Sequence, residues 1–183
     1  ISGLVRPLKG RVSLFGQPFG VRPQRGSLGY IPQRLGLVRH ASVLHNVMLG
    51  ARAGNSNPYS IFPNGKIRDL CLDSISRMGL SEKIYEPVRR LSGGQQRRVA
   101  IARTLAQSPK IILADEFLSE LDEKTLEMVK TEVVEFVRKE SSTLIVVEHD
   151  VSRAKSIADR MLVIDDGRVN PFISKTTALE VKK

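Results

Sequence analysis

Three groups of polar residues each follow a short apolar run, and their chemistry suits a phosphate site. They are Gln33, the pair Asp115-Glu116 and the pair Glu148-His149. In open parallel sheets, ligands bind at the carboxyl ends of the strands, so these side chains can share one site. In a magnesium–phosphate site, one carboxylate holds Mg²⁺ while the next polarises an attacking water. Taken singly, each group has a plainer interpretation, because polar residues commonly end strands and a lone histidine is more often structural.

A second candidate site lies at residues 91–95, with the sequence LSGGQ. Ser92 followed three residues later by Gln95 predicts a capping box at the start of a helix. Gly93 and Gly94 would weaken that helix, and they make sense if something must approach its backbone closely. A helix N-terminus with exposed N–H groups and a serine hydroxyl suits a terminal phosphate. Asp122 either caps the next helix or lies in a loop that contacts a phosphate.

The hydropathy pattern places these residues on alternating strands and helices. The apolar runs at 111–114 and 144–147 are continuous, which is typical of parallel strands buried on both faces. Leu70, Ile75 and Met78 are expected to line one face of a helix. The pattern predicts a turn at residues 165–167, strands at 12–15, 28–31, 110–115, 143–148 and 161–164, and helices at 42–50, 66–79, 95–107, 123–140 and 151–158.

Composition excludes several classes of protein. The sequence has 183 residues and a net charge of +10, but its basic residues are dispersed and it has no tryptophan. Nucleic-acid binding by base stacking is therefore disfavoured. One cysteine excludes an intrachain disulfide or a Cys-rich metal site. No apolar run reaches the length of about 20 residues that a membrane span needs.

Five motifs together resemble ABC-type ATPases. Residues 91–103 resemble the signature motif and its helix, and residues 111–116 resemble the Walker B strand with its glutamate. Residues 119–122 are similar to the D-loop, Gln33 fits the Q-loop and His149 fits the switch histidine. The resemblance extends over most of the chain, with the motifs in the family's order.

The resemblance implies roles within the protomer's own nucleotide site. Asp115 would hold the Mg²⁺ shell, and Glu116 would act as general base toward the hydrolytic water. Gln33 would sense the metal and the γ-phosphate and relay to a membrane partner. His149 would contact the γ-phosphate.

The resemblance also implies a head-to-tail dimer that sandwiches ATP. Ser92, Gly93, Gly94 and Gln95 would then bind the ATP held by the second protomer, and Asp122 would bridge the two protomers. A homodimer is expected, together with transmembrane permease subunits and, indirectly, a solute-binding protein. The location implied is cytoplasmic, on the inner face of the cell membrane, and no nucleic acid is expected as a partner.

The fold implied is a P-loop NTPase (RecA-like) α/β core with a parallel sheet and an ABC helical subdomain. Residues 1–37 would be the remainder of the core with the Q-loop, and residues 38–107 the helical subdomain and signature helix. Residues 108–170 would complete the core with the Walker B, D-loop and H-loop segments. Residues 171–183 would form a C-terminal tail.

The chain departs from the family pattern at two places. The phosphate loop G-x-x-x-x-G-K-[ST] is absent, and Gly65-Lys66 is only a partial match because Ser60 and Ile67 occupy the flanking positions. We expect the first strand and this loop to lie about a dozen residues upstream, so that the chain is an N-terminally truncated piece that hydrolyses no ATP alone. Phe117 stands where the family usually has proline, which alters the rigidity of the loop but removes no catalytic group.

The type of ABC protein is indicated by two stretches. Gln95-Gln96 is more typical of importers, and residues 34–40 with residues 43–50 resemble phosphonate-uptake ATPases. The alternatives are other importers, subunits for lipoprotein release or efflux, and soluble ABC ATPases that act on ribosomes or DNA. A degenerate, non-hydrolysing half-site is a further alternative, against which Glu116 and His149 argue.

Overall fold

The computed structural model describes residues 2–3, 5–54 and 65–169, and the chain divides into two compact units, Ile1–Ile145 and Val146–Lys183. The expected tail at 171–183 lies outside the described residues. Short 3₁₀ turns occupy Ser81–Lys83 and Val88–Arg90. The helices are α1 Val43–Gly54, α2 Gly65–Arg77, α3 Gly93–Ala106, α4 Glu123–Lys139 and α5 Val151–Lys155. The strands are β1 Ser13–Leu14, β2 Gln17–Pro18, β3 Leu28–Ile31, β4 Ile111–Asp115, β5 Thr143–Val147, β6 Ile164–Asp165 and β7 Arg168–Val169.

The central sheet has the order β3-β4-β5. Strands β3 and β4 are parallel, with Ile31 opposite Ala114. The segments that leave these two strands therefore emerge at the same sheet edge, one carrying Gln33 and the other Glu116. This confirms the predicted α/β class with a parallel sheet.

The prediction that the strands are buried on both faces is wrong. In β4, Ile112 and Ala114 are buried while Ile111 and Leu113 are only half-buried. Exposure also alternates along β5, where Val147 is 55% exposed. Alternate side chains of a strand point to opposite faces, so the buried residues share one face of β4.

Helices α1, α2 and α3 pack together beside the sheet. In α2, Ile67, Cys71 and Ile75 are buried at spacings of four residues, and Met78 is buried just beyond the helix. Leu70 is 38% exposed, so its expected place on that face is wrong. Because successive residues of a helix are 100° apart, the neighbour of Cys71 points away from the face that Cys71 occupies.

Glycines allow α1 and α3 to approach each other closely. A Cβ placed on Gly50 would overlap the carbonyl oxygen of Arg103 and lie 2.8 Å from its carbonyl carbon. One helical turn later, a Cβ on Gly54 would meet the carbonyl group of Gln107 in the same way. The two helices therefore pack backbone against backbone, because the glycines of α1 have no side chain to keep them apart.

Small hairpins replace two of the predicted strands. The strand expected at 12–15 is shortened to Ser13–Leu14, because Phe15 and Gly16 form a turn with positive φ and β2 pairs back. The strand expected at 161–164 is wrong, since only Ile164 of that range is in β6, which pairs with β7. The predicted turn is confirmed there, with Asp166 and Gly167 both at positive φ. Such a turn joins two short antiparallel strands directly.

None of the helices in the described part of the chain combines the length and the apolar character that crossing a membrane requires.

Candidate functional site

The end of β4 and the loop after it carry two of the candidate acidic residues at the sheet edge. Asp115 ends the strand and Glu116 follows it, and both are half-buried. Glu116 has φ of 47°, a left-handed conformation that non-glycine residues seldom adopt. Its carbonyl oxygen accepts a hydrogen bond from the Ser119 amide at 3.1 Å, which closes a tight turn. Gln33, after the neighbouring β3, is exposed at the same edge.

The N-terminus of α3 is closed by the predicted capping box. Ser92 Oγ accepts from the Gln95 amide at 3.3 Å, and Gln95 Oε1 accepts from the Ser92 amide at 3.0 Å. Each side chain satisfies a backbone donor that the helix leaves unpaired. Ser92 is exposed, so its hydroxyl is held in place at the surface.

The glycines at the start of α3 lie against the loop that precedes α4. A Cβ on Gly93 would lie 2.8 Å from Glu120 Oε2, and a Cβ on Gly94 would lie 3.1 Å from the Glu120 carbonyl oxygen. The sequence interpretation assigned this pair of glycines to the approach of a ligand. The structure shows that the chain's own loop also lies close to these two glycines.

An open cleft of about 340 Å³, which we call the α3–α4 cleft, lies between the first turns of these two helices. Its lining residues are Ser92, Gly93, Gly94, Gln95, Arg98, Glu120, Leu121, Asp122 and Thr125. Both helix N-termini carry partial positive charge and face the cleft, which favours an anion there. The residues expected to face the second protomer's nucleotide, Ser92 to Gln95, and Asp122, expected to bridge the two protomers, all line this one cleft.

Asp122 and Arg98 have defined structural partners in the cleft. Asp122 caps α4 by accepting from the Thr125 amide at 3.0 Å. Hydrogen bonding to the Thr125 side chain, and then to its amide, lowers the pKa of the carboxyl group. Arg98 donates to the carbonyl oxygens of Met78 at 2.6 Å and Gly79 at 3.2 Å. Burial lowers the pKa of Arg98, although nearby Asp122 raises it. The predicted cap at Asp122 is confirmed.

Two arginines of α3 hydrogen-bond to the loops that carry Glu116 and Gln33. Neither was among the residues predicted from the sequence. Arg97 is only 2% exposed and donates to the Glu116 carbonyl oxygen at 3.1 Å and to Glu120 Oε1 at 3.4 Å. Arg103 donates to the carbonyl oxygens of Leu35 and Gly36, both at 2.8 Å, and burial lowers its pKa. An arginine among the apolar residues of a helix is the sequence signal that could have indicated a buried arginine with a structural role.

Two further side chains hold the segment around Gln33. Gln107, just after α3, donates to the carbonyl oxygens of Gly26 and Leu28 at the start of β3. Asn46 of α1 is buried and bonds to both the amide and the carbonyl oxygen of Val38. The segment that carries Gln33 is thus held on both sides by the helices.

Phe117 occupies a structural position in the loop after Glu116. Its side chain is fully buried, as is that of Leu118. The aromatic ring therefore anchors the loop in the core. A proline at this position would bury a smaller side chain.

His149 belongs to the second unit, where it follows β5 and is exposed. The next residue, Asp150, caps α5 by accepting from the amides of Ser152 and Arg153. These hydrogen bonds lower the pKa of Asp150. Glu148 forms an ion pair with Arg153 at 4.0 Å.

The fold agrees with the comparison to known proteins. The sequence pattern described as ABC transporter matches residues 1–119, and the chain belongs to this family. The phosphonates import ATP-binding protein PhnC 2 of Cupriavidus metallidurans is 41% identical over 176 residues, covering 92% of this chain and 63% of that protein. PhnC of Trichormus variabilis is 38% identical over 172 residues, covering 91% and 70%. The chain thus spans less than two thirds of the Cupriavidus relative.

A solved structure shares the fold over nearly the whole chain. The dimeric, post-hydrolysis state of the ATP-binding cassette MJ0796, bound to ADP and Pi, has a TM-score of 0.81 and 29% sequence identity. The match covers 93% of this chain and 75% of that one. The fold is therefore that of an ABC ATPase, as the motifs predicted.

Proposed function

We propose that the protein is the ATP-hydrolysing subunit of an ABC transporter that takes up phosphonate or a similar small solute. The observation that carries this proposal is the α3–α4 cleft, where a capping-box serine, two glycines and Asp122 meet at two helix N-termini. Such a surface binds the terminal phosphates of a nucleotide. The uptake of phosphonate rests on what the PhnC relatives are named for.

The proposed composite site divides its work between two protomers. Ser92, Gly93, Gly94 and Gln95 face the γ-phosphate of ATP held by the second protomer, and Asp122 bridges the two. The exposure of Ser92 supports this assignment, because its hydroxyl and the helix N-terminus are open to a partner. The dimeric state named for MJ0796 supports the same arrangement.

The sheet edge would form the protomer's own half of the chemistry. Glu116 acts as general base toward the attacking water, and its position directly after β4, which has one buried face, holds it at the edge. His149 contacts the γ-phosphate.

The residues at this edge fit Mg²⁺ bound together with a nucleotide. Among the residues that the structure describes, no three His, Cys, Asp or Glu side chains form a cluster that could hold a metal alone. Asp115 and Gln33 offer one carboxylate and one amide from neighbouring strands, which suits an ion that keeps waters and phosphate oxygens as its other ligands. When bound, Mg²⁺ would neutralise charge on the phosphates.

The partners would be transmembrane permease subunits, with a solute-binding protein acting indirectly. The helical subdomain at residues 38–107 would dock on the permease, which places the protein on the inner face of the membrane. The 183 residues contain no G-x-x-x-x-G-K-[ST] loop, so by themselves they are expected to hydrolyse no ATP.

The test measures ATP hydrolysis and phosphonate uptake by the protein as the cell makes it, reconstituted with its permease in lipid vesicles. Glu116→Gln removes the general base, and we expect hydrolysis to fall by about 10²-fold or more while ATP binding persists. Glu135→Gln changes an exposed glutamate in the middle of α4 and serves as the matched control. Hydrolysis that survives Glu116→Gln, or none in the unaltered protein, would contradict the proposal.

A further inference from the structure

Arg97 is a buried cation whose surroundings need an explanation. Its side chain is 2% exposed, and its Nε has no hydrogen-bond partner among the residues that the structure describes. Burying a charge is costly unless it is paired and hydrogen-bonded, so the two Nη groups must supply the compensation. Their contacts are the Glu116 carbonyl oxygen at 3.1 Å and Glu120 Oε1 at 3.4 Å.

The contact with Glu116 acts on a strained piece of backbone. Glu116 has φ of 47°, and a non-glycine residue keeps such a conformation only when its surroundings hold it. The carbonyl oxygen that Arg97 binds belongs to the same residue as the proposed general base. The direction of the Glu116 carboxylate therefore depends on a peptide group that is fixed by a hydrogen bond from Arg97.

The second contact of Arg97, with the Glu120 carboxylate, fixes the guanidinium group from the other side. Glu120 also lies at positive φ, 61°, and its side chain is 64% exposed. Its second carboxylate oxygen lies against the first turn of α3, 2.8 Å from where a Cβ on Gly93 would be. One guanidinium thus joins α3, the Glu116 peptide and the loop before Asp122.

The arrangement links two surfaces that serve different nucleotides. Arg97 and Ser92 are on the same rigid helix, within about two turns of each other. In the function proposed above, on which this inference rests, Ser92 faces the partner's ATP while Glu116 serves the protomer's own ATP. A shift of α3 on engaging one nucleotide is therefore transmitted to the general base of the other.

We propose that Arg97, held by Glu120, is a positioning residue that orients Glu116 and couples the two nucleotide sites of the dimer.

The test substitutes Glu120, because its exposed side chain can be changed without opening the core. ATP hydrolysis by the reconstituted transporter is measured against ATP concentration for Glu120→Ala, Glu120→Gln and the control Glu135→Gln. We expect Glu120→Ala to lower kcat by roughly fivefold or more and to bring the Hill coefficient for ATP toward 1, with little change in KM. Because Arg97 loses its carboxylate partner, Tm should also fall, but the protein should remain folded at the assay temperature. Glu120→Gln keeps a hydrogen-bond acceptor for Arg97 and should lie between Glu120→Ala and the unaltered protein.

Three results separate the possible failures. If Glu120→Ala matches Glu135→Gln in kcat and Hill coefficient, the coupling role of Arg97 is refuted. If kcat falls only in proportion to a loss of folded protein, measured by far-UV circular dichroism, the role is structural and the proposal is also refuted. If the unaltered protein lacks hydrolysis that Glu116→Gln abolishes, the proposed function itself fails.

Discussion

The close crossing of α1 and α3 makes Gly50 a sensitive test of how the helical part is held together. In Gly50→Ala, the new methyl group would overlap the Arg103 carbonyl oxygen and lie 2.8 Å from the carbonyl carbon. Both are backbone atoms within a helix, so no side chain can rotate to make room. The helices must separate, or the last turn of α3 must distort.

The size of the effect follows from that geometry. Carbon atoms in favourable contact are about 3.5–4.0 Å apart, so relieving the contact with the carbonyl carbon alone needs a movement of about 0.7–1.2 Å, and relieving the overlap with the oxygen needs more. Overpacking of this kind costs about 1–3 kcal/mol and occasionally more, and the better helix propensity of alanine returns up to about 1 kcal/mol. Since the obstacle is backbone, we expect the upper part of that range, a net loss of about 2–3 kcal/mol. For a chain of this size, Tm should fall by about 4–12 °C.

The assay is urea and thermal unfolding of the purified protein followed by circular dichroism. Gly65→Ala is the matched control, because a Cβ at Gly65, the first residue of α2, meets nothing within 4 Å in the described part of the chain. That variant should be unchanged or slightly more stable than the unaltered protein. If Gly50→Ala is as stable as Gly65→Ala, the close backbone contact between α1 and α3 is not present in solution.

Two further predictions concern titratable groups. Asp122→Asn should lower stability at neutral pH, because hydrogen bonding to the Thr125 side chain and to its amide holds the pKa of Asp122 below its ordinary value of 3.8 and so favours the ionised, folded form. That contribution is present above pH 3.8 and is lost as the pH falls through the folded pKa. The urea midpoints of variant and unaltered protein should therefore converge as the solution is acidified below pH 3.8, and a constant gap would contradict the assignment. Burial raises the pKa of Cys71 to about 11, against a smaller opposing effect of Arg52. Dithionitrobenzoate should therefore label this single cysteine slowly at about pH 8 in the folded protein and rapidly in urea, and fast labelling of the folded protein would show that α2 opens.

Local features of the site could be predicted because they depend on residues a few positions apart. The capping box of Ser92 and Gln95 and the cap at Asp122 each join residues three apart, and both are confirmed. Parallel pairing placed Gln33 and Glu116 at one sheet edge, as expected from strands followed by polar residues. The buried face of α2 shows the limit of this reasoning, because the sequence predicted Leu70 there and the structure buries Cys71. Where apolar residues are adjacent, only packing decides which of them is inside.

The sequence by itself determined the family, the order of the elements and which residues could carry the chemistry, since motif spacing and helix caps are local. The tertiary structure decided what holds them: Arg97 contacts Glu116 and Glu120 across 19 and 23 positions, and Arg103 reaches Leu35 across 68. It also decided that Gly93 lies against Glu120 and that one face of β4 is buried more than the other. These facts depend on which surfaces meet when helices and strands pack. A contact between distant residues leaves no fixed period in the chain, so only the folded arrangement reveals it.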